Sequence, residues 1–314
     1  MRVFDMADTT IASSLTPASN QAGKSAVVRQ FKITDIPGAM DKMKWPVAAK
    51  LMRHWFNGKP WPTTDGAMSK EVKDHAALAD VNYVEDTIVK MAWLMRFEPA
   101  KAVIEELKSV WDNPAGRKNI SKKVKDKYLG STPGVYPFKF ESARKVEEFG
   151  YSNNRAVKFG LIEKTDELRA ALANFNVRVF PEGKLVVSVD SIQLFVERIG
   201  FYAEDAYDFN DAPEDNFSQP LGFWNFDGVA NPAYAATANA GAAQMRSDIA
   251  SNPYLSAEDS QAMFKEIDSA RYFYITNSHF VKYRAEFGKG GDFQVLSDVH
   301  YQGIPLTVIN VWNK

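Results

Sequence analysis

The sequence predicts an α+β fold, with a helical N-terminal half and an antiparallel, strand-rich C-terminal half that an Ala-rich helical segment interrupts. Three observations predict it. Apolar residues recur at three- and four-residue spacing before about residue 130. They alternate at two-residue spacing around Ile192, Leu194 and Val196, and strand-like runs return near the C-terminus. Helical runs followed by strand runs argue against alternating βαβ units.

The elements follow in order. Residues 1 to about 28 are rich in Ser, Thr, Ala and Asn and read as a mobile tail. A mainly helical region, 29–130, and a strand-rich region, 131–314, come next and can form one continuous domain. Phe31-Lys32-Ile33 reads as a short strand. Pro46 suits a first helical turn, Val47, Leu51 and Trp55 give the stripe, and Asn57-Gly58 the stop. Lys59 to Ser69 reads as a loop. Val84, Ile88, Met91 and Met95 place Val81 to Phe97 on a helix, although Thr87 to Met95 also reads as a buried strand. Pro99 opens a helix striped by Val103, Leu107, Val110 and Trp111, which Asn113-Pro114 ends.

Arg117 to Lys127 is basic, and is either a solvated helix face or a phosphate or lipid-headgroup patch. No aromatics interleave its lysines, as a single-strand binder would want. Asp166 to Phe175 reads as a short helix. Val177–Phe180 and Lys184–Val189 flank Pro181-Glu182-Gly183 as a hairpin. Gly200 signals a bulge or a close backbone approach. Ala233 to Ser269 is the Ala-rich helical segment, with Ser256 as an N-cap. Tyr272–Ile275 reads as a strand, and Asn277 or Ser278 caps a helix that Gly288 stops. Asp292–Tyr301 and Ile304–Trp312 read as a final hairpin around Gln302-Gly303.

Composition narrows the chemistry. The chain of 314 residues, 45% of them hydrophobic, can bury a substantial core. Its formal net charge of −1 supplies no field toward nucleic acid, so no nucleic-acid partner is expected. Cysteine is absent, which excludes disulfides, thiolate metal sites and cysteine nucleophiles. No run approaches the ~20 apolar residues a membrane helix requires. Arg2 is followed by polar residues rather than an apolar core, so a cleaved signal is not expected. The expected location is the cytoplasm of the producing cell, with export lacking a signal peptide left open.

No P-loop, dinucleotide fingerprint, nucleophile elbow or His-Glu-x-x-His motif occurs. The histidines, His54, His75, His279 and His300, are far apart. Two polar clusters carry the candidate chemistry. Glu204 to Asp211, with Asp205 and Asp208, can hold a hard cation through oxygen, share acid and base work, or form a strand-ending turn. Asn277, His279, Tyr283, Arg284, Asp292, Asp298 and His300 surround a Gly-rich turn. They can polarise a phosphoryl or acyl group, or Arg284 can pair with Asp292 or Asp298 to fix the loop. Phe223-Trp224-Asn225-Phe226 either anchors a loop or stacks a ligand. Asp205-Ala206-Tyr207-Asp208 resembles part of the motif of colicin-M-like lipid II hydrolases, over four residues only, and the His-Arg pair those enzymes carry afterwards is missing.

Three longer stretches carry a wider resemblance. They run from Ile36-Pro37-Gly38-Ala39-Met40 through Trp45-Pro46-Val47 to Trp55-Phe56, from Gly200-Phe201-Tyr202 through Tyr207-Asp208-Phe209-Asn210 to Gln219-Pro220-Leu221-Gly222-Phe223-Trp224-Asn225, and from Gly290-Gly291-Asp292-Phe293 to Ser297-Asp298-Val299. From about residue 31 the chain resembles the bacterial domain of unknown function 6402 family. The resemblance implies association with type VI secretion gene clusters, hence a cargo effector, an accessory protein or an immunity partner. It brings no catalytic residues.

Two expectations follow. One is an antibacterial type VI secretion effector; if an enzyme, it is a hydrolase using Asp205, Asp208, His279, Arg284, Asp292, Asp298 and His300. The other is a non-enzymatic accessory, adaptor or immunity protein. The partner is then a secretion spike, an adaptor, or an immunity protein. Cofactor and metal stay open.

Overall fold

A computed structural model describes residues 29–74, 76–159, 165–211 and 217–314. The tail read over residues 1–28, His75 and the acidic Pro213-Glu214-Asp215 lie outside these residues. After a 3₁₀ turn at Ile33–Asp35, the elements are α1 (Ile36–Lys42), α2 (Pro46–Asn57), α3 (Lys70–Lys73), β1 (Val84–Glu85), α4 (Met91–Leu94), α5 (Glu98–Val110), α6 (Pro114–Tyr128), β2 (Gly134–Phe138), α7 (Ala143–Phe149) and β3 (Asn153–Val157). They continue with α8 (Glu167–Leu172), β4 (Phe175–Val187), β5 (Ser191–Tyr207), β6 (Pro220–Asn225), β7 (Gly228–Ala230), α9 (Pro232–Ala250), α10 (Ala257–Ala270), β8 (Phe273–Thr276), α11 (Asn277–Phe287), β9 (Phe293–Leu296) and β10 (His300–Asn313). Helices dominate the first half and strands the second, so the fold is mixed α+β.

The chain forms two compact units. The first takes the described residues within 1–52 and 209–283, and the second those within 53–159, 165–208 and 284–314. The second unit is built on a seven-stranded sheet ordered β1-β9-β5-β4-β2, with β10 also on β5 and β3 also on β4. Only the β1–β9 pair is parallel. On one face α6 buries Ile120 and Val124 against Leu185, Leu194, Val196, Ile309 and Val311. Next to it α7 packs Val146 among Phe180, Tyr202 and Leu296. At 25 cal/mol per Å², each such buried aliphatic side chain contributes about 2 kcal/mol.

The first unit holds the sheet β7-β6-β8. The aromatic run at the end of β6 and just after it anchors this sheet. Phe226 meets Phe31 edge-on at 5.3 Å, and Trp224, nearly buried, donates its indole N–H to the Leu221 carbonyl at 2.9 Å. Asn239 of α9 exchanges hydrogen bonds with the Tyr272 backbone, both at 2.9 Å. Phe209 stacks on Phe280 with ring centroids 3.9 Å apart. By contrast α10 buries no residue, and α9 buries only Ala235 and Ala242.

Several sequence readings are corrected. Phe31 to Ile33 is no strand, because the chain enters the 3₁₀ turn there. Val81 to Phe97 is not one helix. Glu85 pairs into the sheet and its carboxylate accepts from the amides of Thr87 and Ile88, at 3.0 and 2.9 Å, which turns the chain before the single helical turn α4. Pro181-Glu182-Gly183 makes no hairpin, since β4 runs straight through it with a bulge between Glu182 and Gly183. Pro181 is tolerated between the stretch paired to β3, ending at Val179, and that paired to β2, starting at Gly183, where no outer partner needs its missing N–H. At Gly183 a Cβ would meet the Phe195 carbonyl oxygen at 1.9 Å, so glycine serves the bulge. The final hairpin is likewise absent. Gln302 and Gly303 stay in the ladder opposite Ile199 and Arg198, and β9 and β10 each pair with β5. Gly200 is the close approach foreseen, with Phe180 Cζ 2.5 Å from where its Cβ would stand.

Candidate functional site

The acidic cluster at the end of β5 is divided by strand alternation, which sends successive side chains to opposite faces. Glu204 is buried and accepts from Arg178 at 3.2 Å and from Asn176 and Gln294 at 3.4 Å. Arg178 also reaches Glu147 at 3.3 Å, and the buried Tyr202 hydroxyl donates to that same carboxylate. Asp205 points the other way. Protein hems it in, although part of its surface still meets solvent. Burial, then the neighbouring carboxylates of Glu204 and Asp208, hold its carboxyl well above the usual Asp range. Asp208 is matched by Lys73 at 2.6 Å.

Arg284 and Asp292 form a closed hub. Both side chains are buried, and they pair directly. Asp292 also accepts from the Trp55 indole and the Met68 amide, each at 2.9 Å, while its carbonyl accepts from the Trp61 indole at 2.6 Å. Arg284 Nε donates to the Gly290 carbonyl at 2.8 Å. Gly290, at φ +93°, lies so close to Trp55 that a Cβ would stand 2.4 Å from the ring. These contacts fix the Gly-rich turn, the structural role weighed for Arg284 from sequence.

The remaining candidates are dispersed. His279 belongs to the first unit, where Nδ1 accepts from the Thr276 amide at 3.2 Å at the start of α11. His300 stands opposite Phe201 on β5, four residues before Asp205. That offset is about 13 Å at the usual strand rise, beyond reach of one reacting atom. Among the described residues no group of three or more His, Asp or Glu is arranged to hold a metal ion.

Asp298 borders a concavity. A cleft of about 280 Å³ in the second unit is bordered by Asp86, Glu141, Arg144, Ser297, Asp298 and Tyr301. Asp298 accepts from the Met91 amide at 2.6 Å, where α4 begins. Ser297 accepts from the Ala203 amide at 2.8 Å and is held in place by β5. Tyr301 donates to Glu182 at 3.2 Å, and burial, then that carboxylate, pushes its hydroxyl up to about 12. Glu182 is fully buried and is neutralised by Arg198, at 2.6 and 2.9 Å, with the Phe140 amide at 2.7 Å. Tyr301 therefore stays protonated, its single O–H directed to Glu182 and the Phe140 carbonyl, each at 3.2 Å.

Sequence reasoning missed Asp86, Glu141, Arg144, Glu182 and Tyr301. Only Glu182 carried a signal, an acid inside an apolar strand run, and Pro181 and Gly183 disguised it as a turn.

A family model described as a family of unknown function, DUF6402, matches residues 31–309. No curated protein and no solved structure matches the chain. With the match spanning all but the ends, the chain belongs to the DUF6402 family.

Proposed function

We propose that this protein acts by binding rather than by hydrolysis, as a non-enzymatic accessory, adaptor or immunity component of a type VI secretion gene cluster. The observation that carries the reading is the engagement of five of the seven groups nominated for catalysis. Arg284 and Asp292 are closed to solvent and held by each other, by two indoles and by backbone. Asp208, Asp298 and His279 are held by Lys73, the Met91 amide and the Thr276 amide. A catalytic acid, base or electrophile has to meet a reacting atom at hydrogen-bond range. The cluster context rests on the family resemblance. The test is co-purification of the tagged full chain with the spike protein and the toxins encoded beside it. A stable complex with one of them is expected, and failure of every pairing contradicts the reading.

A second reading, a hydrolase effector, is favoured by the cleft alone. Asp86, Glu141 and Asp298 border one opening, and paired carboxylates at hydrogen-bond range of one substrate are the groups a hydrolase uses. Growth arrest that Asp298→Asn relieves would favour it over binding.

A further inference from the structure

We propose that α6 is a docking ridge for an acidic helical segment of a partner protein, an inference that rests on the binding reading and names the partner's chemistry. Within this helix Arg117, Lys118, Lys122, Lys123, Lys125 and Lys127 face a single acid, Asp126. Arg117 is occupied by Asp112, at 2.5 and 2.6 Å. Lys127 lies over the rings of Tyr128 and Phe149, at 5.5 and 5.7 Å. Lys118, Lys122 and Lys125 form no ion pair among the described residues. At i, i+4 and i+7 they share one helix face, and Leu129, next along the same line, is 51% exposed. The opposite stripe, Ile120 and Val124, is sealed in the core, so the orientation of the lysine face is fixed.

The arrangement is unfavourable for the helix on its own. Lys118 and Lys122, like Lys123 and Lys127, are like charges at i, i+4 spacing. An anionic counterpart removes that repulsion. The lysine row spans about 10 Å at helical rise. Carboxylates at i, i+4 and i+7 of a partner helix repeat the same spacing, so each meets one ammonium, and Leu129 adds an apolar contact at the end of the row. A membrane fits less well, because the apolar stripe of α6 is already committed to the core and cannot enter a bilayer surface. Nucleic acid fits less well too, since the face offers no aromatic for stacking and its one arginine is engaged.

The test uses the full chain and a fluorescent helical peptide repeating Glu-Ala-Ala-Ala-Glu-Ala-Ala and ending in Leu, followed by anisotropy. Phosphatidylglycerol vesicles and duplex DNA form separate arms. The peptide is expected to bind and to weaken as salt rises. Single Lys118→Gln, Lys122→Gln and Lys125→Gln changes each weaken it about threefold. Lys118→Glu, Lys122→Glu and Lys125→Glu together abolish binding while circular dichroism keeps its helical signal; if that variant unfolds, the single changes decide. Lys108→Gln, on α5, leaves binding unchanged. No peptide binding, binding that survives the single changes, or tighter binding to vesicles or DNA overturns the proposal. A cluster partner that co-purifies equally with the triple variant overturns the ridge and leaves the binding reading standing.

Discussion

At the scale of single residues, most of the nominated polar groups hold the fold, and Asp298 also borders a cleft. Arg284 and Asp292 hold the fold. Removing one partner strands the other charge in the interior, so Asp292→Ala is expected to cost about 3–5 kcal/mol in urea denaturation. Gly200→Ala drives a methyl group into Phe180 and Val299, and is expected to cost about 1–3 kcal/mol by the same measurement. Asp205 has the opposite sign. Its carboxyl binds a proton more tightly folded than unfolded, so its contribution is complete below the ordinary Asp value of 3.8 and is lost as pH rises through the raised value. Asp205→Asn is therefore expected to raise stability at neutral pH and to flatten the decline above pH 4 in a pH series of thermal melts. Equal stability of the two proteins across that series would remove the burial argument. These long-range ties were not legible in the chain. The Arg284–Asp292 pair is one of the two readings their closeness in sequence offers, but nothing in that spacing announces Trp55 and Met68, more than two hundred residues away.

At the scale of elements, periodicity reports a helix wherever one face is sealed and misleads wherever pairing takes over. The stripes of α2 and α5 were legible because Leu51, Trp55 and Leu107 repeat on one side and are buried there. The turn signals inside β4 and β10 failed because Pro and Gly also serve bulges and open edge positions, which depend on neighbouring strands. The α9–α10 hairpin is the least committed part of the described fold. Helical stability in proteins comes mostly from packing, and α10 buries none of its residues. Hydrogen exchange is expected to release the α10 amides well before those of β4 and β5, and equal protection would mean that something further covers the hairpin. Gly241 lies inside α9 with open space where a Cβ would stand. Gly241→Ala is expected to stabilise that helix by about 1 kcal/mol, read as slower exchange of its amides.

At the scale of the whole molecule, the α+β class and the family followed from helix-first patterning and from three sequence stretches, while the site did not. Carboxylates and imidazoles that cluster along the chain are divided by strand alternation, as with Glu204 and Asp205, or held in different compact units, as with His279 and Asp298. The central claim is that this protein works by binding, with its polar groups engaged in structure. The measurement that tests it most directly is growth of bacteria producing the full chain in the cytoplasm or in the periplasm, wild type beside Asp298→Asn. The account predicts unchanged growth in both compartments for both proteins. Arrest by the wild type, relieved by Asp298→Asn at equal abundance and equal thermal stability, would contradict it.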